Sequence, residues 1–290
     1  MDGVNKTLYI PLYGKAKVSK KNIILKDPTA EYIWAQESFH LKGKSKSKWL
    51  AYYMGMRAWV FDEWLRVMMR KNPEATILHI GCGMDSRIYR VGGAYCANSV
   101  NQQEGNNGDV SESAIAKRKW YDIDFKDVIK ERKKYYEETD TYHMIASDAR
   151  NIAYLSEISE TEAIVIMEGI SMYLKPEELE KLMADLSSHF TRIHILMDCY
   201  TTKAAKVSKY KNPINDVGVT LVYGMDEPTK LSENVRGMSQ ESDAFKFIKE
   251  YNMTPEEKIN ELKGLEKFIF RRLFAGKFSK SLYRMYEFKK

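Results

Sequence analysis

The sequence predicts an α/β fold: a doubly wound, mostly parallel sheet with helices on both faces, an N-terminal helical extension and helical lid insertions. Three observations predict it. Short apolar runs alternate with amphipathic stretches between residues 76 and 197. The first run ends in a Gly-x-Gly turn, Gly81-Cys82-Gly83. Carboxylates stand directly after successive runs, at Asp122 and Asp124, at Asp148 and at Glu168.

Taken in order, residues 1–50 read as irregular structure and short helices, and Lys42–Lys48 as a mobile loop. Trp49, Tyr53, Met56, Val60, Trp64 and Val67 recur at three- and four-residue steps, which predicts a helix over 49–70 ended by Asn72-Pro73. Thr76–Ile80, Lys119–Ile123, Tyr142–Ala146, Ala163–Met167 and Ile193–Met197 are strand candidates. A charged helix is expected over Phe125–Glu138, and Pro176 opens another, with Glu177 and Glu178 beside its positive end. Residues 200–240 look less regular. Glu256–Ala275 reads as one long helix with Gly276 at a left-handed terminus, and Ser281–Phe288 as a last strand. Gly92–Ser113, rich in Asn, Gln and Gly, reads as a flexible insertion. The expected division is a helical cap over 1–72 and a ligand-binding domain over 73–290, whose acceptor side is residues 200–240.

Composition narrows the function. The chain has 290 residues, 44% of them hydrophobic and 30% charged, enough to bury a core without staples. No apolar run approaches the roughly 20 residues that span a bilayer, and the first residues lack the apolar centre of a secretory signal, so a cytoplasmic location is expected. Three scattered cysteines argue against a disulfide framework, and neither cysteines nor histidines are spaced for zinc. His79 and His194, inside strand candidates, read as satisfied core histidines. The net charge of +6 is concentrated at the two ends of the chain, as a solvated surface or as a field that attracts an acidic acceptor.

The chemistry lies after the strands. In His79-Ile80-Gly81-Cys82-Gly83-Met84-Asp85-Ser86 the two glycines allow a tight turn and close approach of a ligand, but Ser86 occupies the place of the third glycine of a dinucleotide fingerprint. A pyrophosphate grip is therefore not indicated. In Trp120-Tyr121-Asp122-Ile123-Asp124 the acids share one side of a strand and can accept ribose hydroxyls. Asp148, in Ser147-Asp148-Ala149-Arg150, suits an adenine amino group or a helix cap equally. Glu168-Gly169 puts a carboxylate beyond a buried strand, where it either meets a cationic ligand or pairs with a lysine or arginine. An adenosine-bearing ligand with a positive charge fits the set, and S-adenosylmethionine is such a ligand.

These motifs, in this order over residues 48–228, resemble the leucine carboxyl methyltransferase family, whose bacterial members include polyketide-type O-methyltransferases. The segments that carry the resemblance are Arg57 to Leu65, Leu78 to Arg87, Tyr121 to Phe125, Ser147 to Arg150, Glu168 to Leu174 and Tyr223 to Pro228. The resemblance implies a seven-stranded Rossmann-like methyltransferase sheet. It also implies Arg57 on the methionyl carboxylate, Gly81 beside the cofactor, Asp124 on the ribose, Asp148 near adenine and Glu168 near the amino or sulfonium end. The full expected cofactor set is Arg57, Gly81, Cys82, Gly83, Asp85, Asp122, Asp124, Asp148, Ala149, Glu168 and Gly169, with Tyr200 and Tyr223 on the acceptor side and no metal.

The expected reaction is methyl transfer to an oxygen of a small-molecule or peptide acceptor. A carboxylate acceptor is already ionised at neutral pH and needs no general base, so none is assigned; a phenol would need one. The basic ends, Arg271 and Arg272 among them, are expected to favour an anionic acceptor. Nucleic acid and membrane are not expected partners. Two rival readings are a nucleic-acid methyltransferase, against which the absence of an Asp/Asn-Pro-Pro-aromatic motif counts, and a non-catalytic ligand sensor on the same fold.

Overall fold

The computed structural model of the chain describes residues 6–92, 118–219, 221–238 and 245–290. All but the first residue of the expected flexible insertion lies outside them. Seven strands form one sheet in the order β3-β2-β1-β4-β5-β7-β6. They are β1 (Thr76–Ile80), β2 (Trp120–Asp124), β3 (Tyr142–Ala146), β4 (Glu162–Met167), β5 (Arg192–Tyr200), β6 (Lys246–Tyr251) and β7 (Tyr283–Lys289). The first five strands run parallel, and β7 is antiparallel to both β5 and β6.

The central strands are nearly continuous apolar runs because both faces are covered. Ile77, Leu78 and Ile80 of β1 are fully buried, as are Ile164, Val165, Ile166 and Met167 of β4. Each such side chain contributes roughly 1.5–3 kcal/mol relative to an exposed one. The order reverses between β1 and β4, and a switch point of this kind opens a crevice at the carboxyl edge of the sheet. Sequence periodicity located six strands and missed β6, an exposed strand of mixed polarity that carries no apolar alternation.

The helices are α1 (Tyr9–Lys20), α2 (Pro28–Gln36), α3 (Lys48–Lys71), α4 (Arg87–Val91), α5 (Lys126–Arg132), α6 (Pro176–His189), α7 (Thr202–Lys211), α8 (Pro228–Met238), α9 (Glu256–Asn260), α10 (Gly264–Leu273) and α11 (Lys277–Lys280). Helix α3 starts where the Ser47 hydroxyl accepts from the Trp49 amide and ends at Asn72, before Pro73. Pro28 sits in the first turn of α2, where the buried Asp27 carboxylate accepts from the Ala30 amide at 2.9 Å. Four expectations are corrected. Residues 42–48 are not free: the Ser45 amide donates to Asp216 at 3.0 Å, and Gly43–Lys46 form a 3₁₀ turn. Residues 200–240 contain α7 and α8. The charged helix after β2 stops at Arg132 rather than Glu138. The long helix over 256–275 is two, Glu256–Asn260 and Gly264–Leu273, and Gly264 opens the second with a φ of +51°, which a continuous right-handed helix does not pass through; Gly276 has a φ of −74° and precedes α11.

Candidate active site

A cavity of about 810 Å³ lies at the carboxyl edge of the parallel strands. It falls in the size range of small-molecule and cofactor sites. Strand order arranges its lining. The loops after β2 and β3 bring Asp124, Asp148 and Ala149 to one end, the loops after β1 and β4 put Gly81, Cys82, Gly83, Asp85, Glu168 and Gly169 at the centre, and the paired ends of β5 and β7 put Tyr200 and Tyr283 at the other. Helix α1 contributes Lys15 and α3 contributes Tyr53, Met54 and Arg57. Of the residues expected to bind cofactor or acceptor, from Arg57 to Tyr223, all but Asp122 and Tyr223 line this cavity.

The glycine turn is built on backbone geometry. Gly81 has a φ of +72°, and a Cβ there would meet the Ile170 side chain at 2.9 Å. Only glycine is comfortable in both respects. The Gly83 amide donates to Asp124 at 2.8 Å, and the Phe125 amide donates to the same carboxylate at 2.7 Å. Burial nonetheless pushes the Asp124 carboxyl up to about 6. Cys82 is buried in the turn, and burial raises its thiol far above the ordinary range, so it is held as a neutral wall rather than a nucleophile.

Behind the central loops is a dense buried ion network. Arg57 donates to Glu168 at 2.9 Å, to Asp198 at 3.0 Å and to the Tyr283 hydroxyl at 2.7 Å. Its Nε is buried with no hydrogen-bond partner among the described residues. Glu168 is also bound by Arg87. Burial would raise Glu168, but Arg57 and Arg87 outweigh burial and hold it at about 2. Asp85 is ringed by Lys15 at 3.0 Å, Arg87 at 3.1 Å and Arg90 at 2.8 Å. Those cations overcome its burial and keep it well below the usual carboxylate range. The Gly169 amide donates to Asp198 at 2.6 Å, joining the loop after β4 to the end of β5.

Asp122 is placed differently from the expectation. Its carboxylate is fully buried and bonded to Arg132, to the Tyr142 hydroxyl at 2.5 Å and to the Trp120 indole at 2.8 Å, and it lies 3.3 Å from the His79 ring. Strand alternation does put Asp122 and Asp124 on one side. Asp122, however, lies one step inside the sheet, under the Gly83 carbonyl that Arg132 also holds at 3.0 Å. Tyr223 is the second correction. It lines a separate hollow with Asp226 and Lys230, and its segment is structural: the Met225 amide donates to the Tyr200 carbonyl at 2.7 Å, and Asp226 accepts from the Thr202 amide at 3.0 Å. Arg271 and Arg272 are exposed and do not line the cavity; its cationic lining is Lys15, Lys44, Arg57 and Arg150.

Sequence reasoning missed Asp198, Tyr283, Lys15 and Arg87. A signal existed for Asp198, a lone acid inside the apolar run Ile193–Cys199. None existed for Lys15 or Tyr283, whose roles depend on helix α1 and the last strand folding over the edge of the sheet.

Strand order, the glycine turn and the cavity at the switch point together define the class I S-adenosylmethionine-dependent methyltransferase fold. The chain is 24% identical over 271 residues to the tetracenomycin polyketide synthesis O-methyltransferase TcmP of Streptomyces glaucescens, covering 93% of this chain and 90% of that protein. It is 25% identical over 260 residues to the S-adenosyl-L-methionine-dependent methyltransferase dpfgK of Gibberella zeae, covering 82% and 80%. Among solved structures, the plantazolicin methyltransferase BamL, in complex with S-adenosylhomocysteine and a triazolic desmethyl plantazolicin analogue, shares the fold with a TM-score of 0.50 at 12% identity, over 99% of this chain and 97% of that one. No protein-family model matches the chain. No helix among the described residues is long and apolar enough to cross a membrane.

Proposed function

We propose that this protein transfers the methyl group of S-adenosylmethionine to an ionised carboxylate oxygen of a small acceptor, as a member of the polyketide-type branch of the leucine carboxyl methyltransferase family. One observation carries the carboxylate reading: among the described residues, the acceptor end of the cavity offers no free base. Tyr53, Tyr173, Tyr200 and Tyr283 line it, and burial raises all four phenols above their ordinary range, so they donate hydrogen bonds at neutral pH and do not accept protons. Every acid on the wall is engaged, Asp85 and Glu168 by the ion network, Asp148 by Arg150 and Asp124 by two amides, and the His79 ring on the same wall is wedged between Asp122 and Arg87, with its pKa lowered by burial. An acceptor that arrives ionised needs no more than this.

The residues suit the cofactor. Gly81 presents bare backbone to the cavity where a Cβ would collide with Ile170, Asp124 is an acceptor at the ribose end, and the buried Arg57 keeps an unpartnered N–H at the centre. We assign Asp124 to the ribose, Asp148 and Ala149 to the adenine side, Gly81, Cys82, Gly83 and Gly169 to the close backbone wall, and Arg57, Asp85 and Glu168 to the amino-acid end. When bound, S-adenosylmethionine supplies an electrophilic methyl group on a sulfonium sulfur. The contribution of the chain is to orient and to exclude water. Residues 1–72 act as a cap: α1 and α3 wall the cavity with Ile10, Leu12, Tyr53 and Met54. The four tyrosines fix the acceptor, with Tyr200 held by Asn212 at 3.0 Å and Tyr283 by Arg57.

The test is a panel of aromatic acids and phenols, with S-adenosylhomocysteine release as readout. Turnover of acids with a rate flat above their own pKa supports the reading. Turnover of phenols alone, rising with pH, overturns the carboxylate assignment. Cofactor binding without turnover of any acceptor would favour the sensor.

A further inference from the structure

We propose that the outer face of α10 and α11 docks the protein onto an anionic lipid surface, with the mouth of the cavity turned toward it. Helix α10 is held by one side only. Phe270 is fully buried, Glu266 accepts from the Tyr52 hydroxyl and from Lys48, each at 2.7 Å, and the Phe274 ring stacks on Trp49 with centroids 5.5 Å apart. The opposite side is apolar and uncovered. Leu265 is 71% exposed, Phe268 59% and Leu273 61%, and Phe278 of α11 adds 66%. Helical spacing puts Leu265, Phe268 and Leu273 on one outward stripe with Arg272 among them. None of the four lines the cavity or the two smaller hollows.

Charge identifies the occupant. Between Lys263 and Lys280 the chain carries six lysines and arginines against the single Glu266. Arg271 is paired with Glu256, but Lys263, Lys267, Arg272, Lys277 and Lys280 have no ion-pair partner among the described residues. Outward Leu and Phe side chains interleaved with free cations are the pattern of an interfacial amphipathic helix, which sinks its apolar stripe to the acyl boundary while the cations meet phosphates. A second copy of the chain would bring these cations against their own kind. An acidic protein offers the charge, but the projecting side chains leave no groove for it. The same segment and its flank form part of the cavity wall through Phe274, Ser279 and Leu282, so docking would bring the acceptor end of the cavity close to the membrane. The sequence led to no expectation of a membrane partner because it has no span; a peripheral face is a separate property.

The inference is independent of the proposed reaction, because it is read without cofactor or acceptor. The full chain is sedimented with vesicles of phosphatidylcholine alone and of phosphatidylcholine mixed with phosphatidylglycerol. Binding is expected to the mixed vesicles only. The pair Arg272→Gln and Lys277→Gln should weaken it roughly fivefold per cation removed. The pair Leu265→Ser and Phe268→Ser should abolish it. These side chains are exposed, so circular dichroism should report unchanged folding for both variants. Wild-type protein that stays in the supernatant with anionic vesicles overturns the proposal and leaves an acidic protein as the partner to seek. Binding that the Leu265→Ser and Phe268→Ser pair leaves intact overturns it equally.

Discussion

The Arg57 guanidinium and the Asp198 carboxylate meet at 3.0 Å in the wall of the cavity, one from helix α3 and the other from strand β5, 141 residues apart in the chain. The contact ties the N-terminal helical segment to the edge of the sheet. Asp198 also accepts from Gly169 and Tyr283, so one buried acid registers the loop after β4, strand β5, strand β7 and α3 together. Replacing it with alanine leaves Arg57 with Glu168 and the Tyr283 hydroxyl and frees the Gly169 amide. Loss of one partner of a buried pair costs about 3–5 kcal/mol. Denaturant unfolding should show a loss of that order for Asp198→Ala and a smaller one for Asp198→Asn; equal stability of all three proteins would deny Asp198 this tie.

Asp124 gives a pH signature of opposite sign for folding and for binding. Its carboxyl is pushed up to about 6 by burial, above the roughly 3.9 of an unfolded chain. The native state therefore holds this proton more tightly. The stability it contributes is full below the unfolded value and is lost as pH rises through about 6. Ligand binding requires the ionised acceptor. Affinity for S-adenosylhomocysteine should therefore rise through the same pH, falling roughly tenfold per pH unit on the acid side. Calorimetric titration across this range measures it, and Asp124→Asn should flatten the profile. A flat wild-type profile would remove Asp124 from the binding role.

Asp122 and Asp124 should behave as different kinds of residue. Asp122 is held at about 2 because Arg132, His79 and Tyr142 outweigh its burial. Its substitution by asparagine should lower stability by about 3 kcal/mol, the scale of a broken buried ion pair, and leave the cofactor affinity of the folded protein nearly unchanged. Asp124→Ala should do the reverse. Matched thermal melts and titrations separate the two.

Gly81→Ala should both destabilise and block. A left-handed φ of +72° costs an alanine roughly 1–2 kcal/mol, and its Cβ would press on Ile170 at 2.9 Å. A lowered melting temperature together with lost cofactor affinity is the expected pair of results.

Lys44 is an exposed cation on the wall of the cavity with no ion-pair partner among the described residues, whereas Lys15 is tied to Asp85 and Arg150 to Asp148. Lys44→Glu should raise KM for an anionic acceptor several-fold without changing cofactor affinity. Charge reversal at Arg271 and Arg272 should leave KM in detergent-free solution unaltered. Steady-state kinetics with the acceptor found by the panel decides between them.

The sequence by itself determined the sheet, the turn and the acids that follow the strands, because these are local. Ile77, Leu78 and Ile80 announce a strand buried on both faces, Gly81 announces a left-handed turn, and a carboxylate after β2, β3 or β4 must emerge at the carboxyl edge of a parallel sheet. Tertiary structure alone decided which acids reach the cavity and which are neutralised behind it. Asp122 and Asp124 are two residues apart on one strand face and look alike in sequence, yet Arg132 captures the first from a helix that packs beneath it. Lys15 and Tyr283 meet the site from the two ends of the chain. Local periodicity carries backbone geometry, whereas the state of a buried charge is set by whichever counter-charge lies within about 4 Å, and that neighbour is chosen by the packing of distant elements.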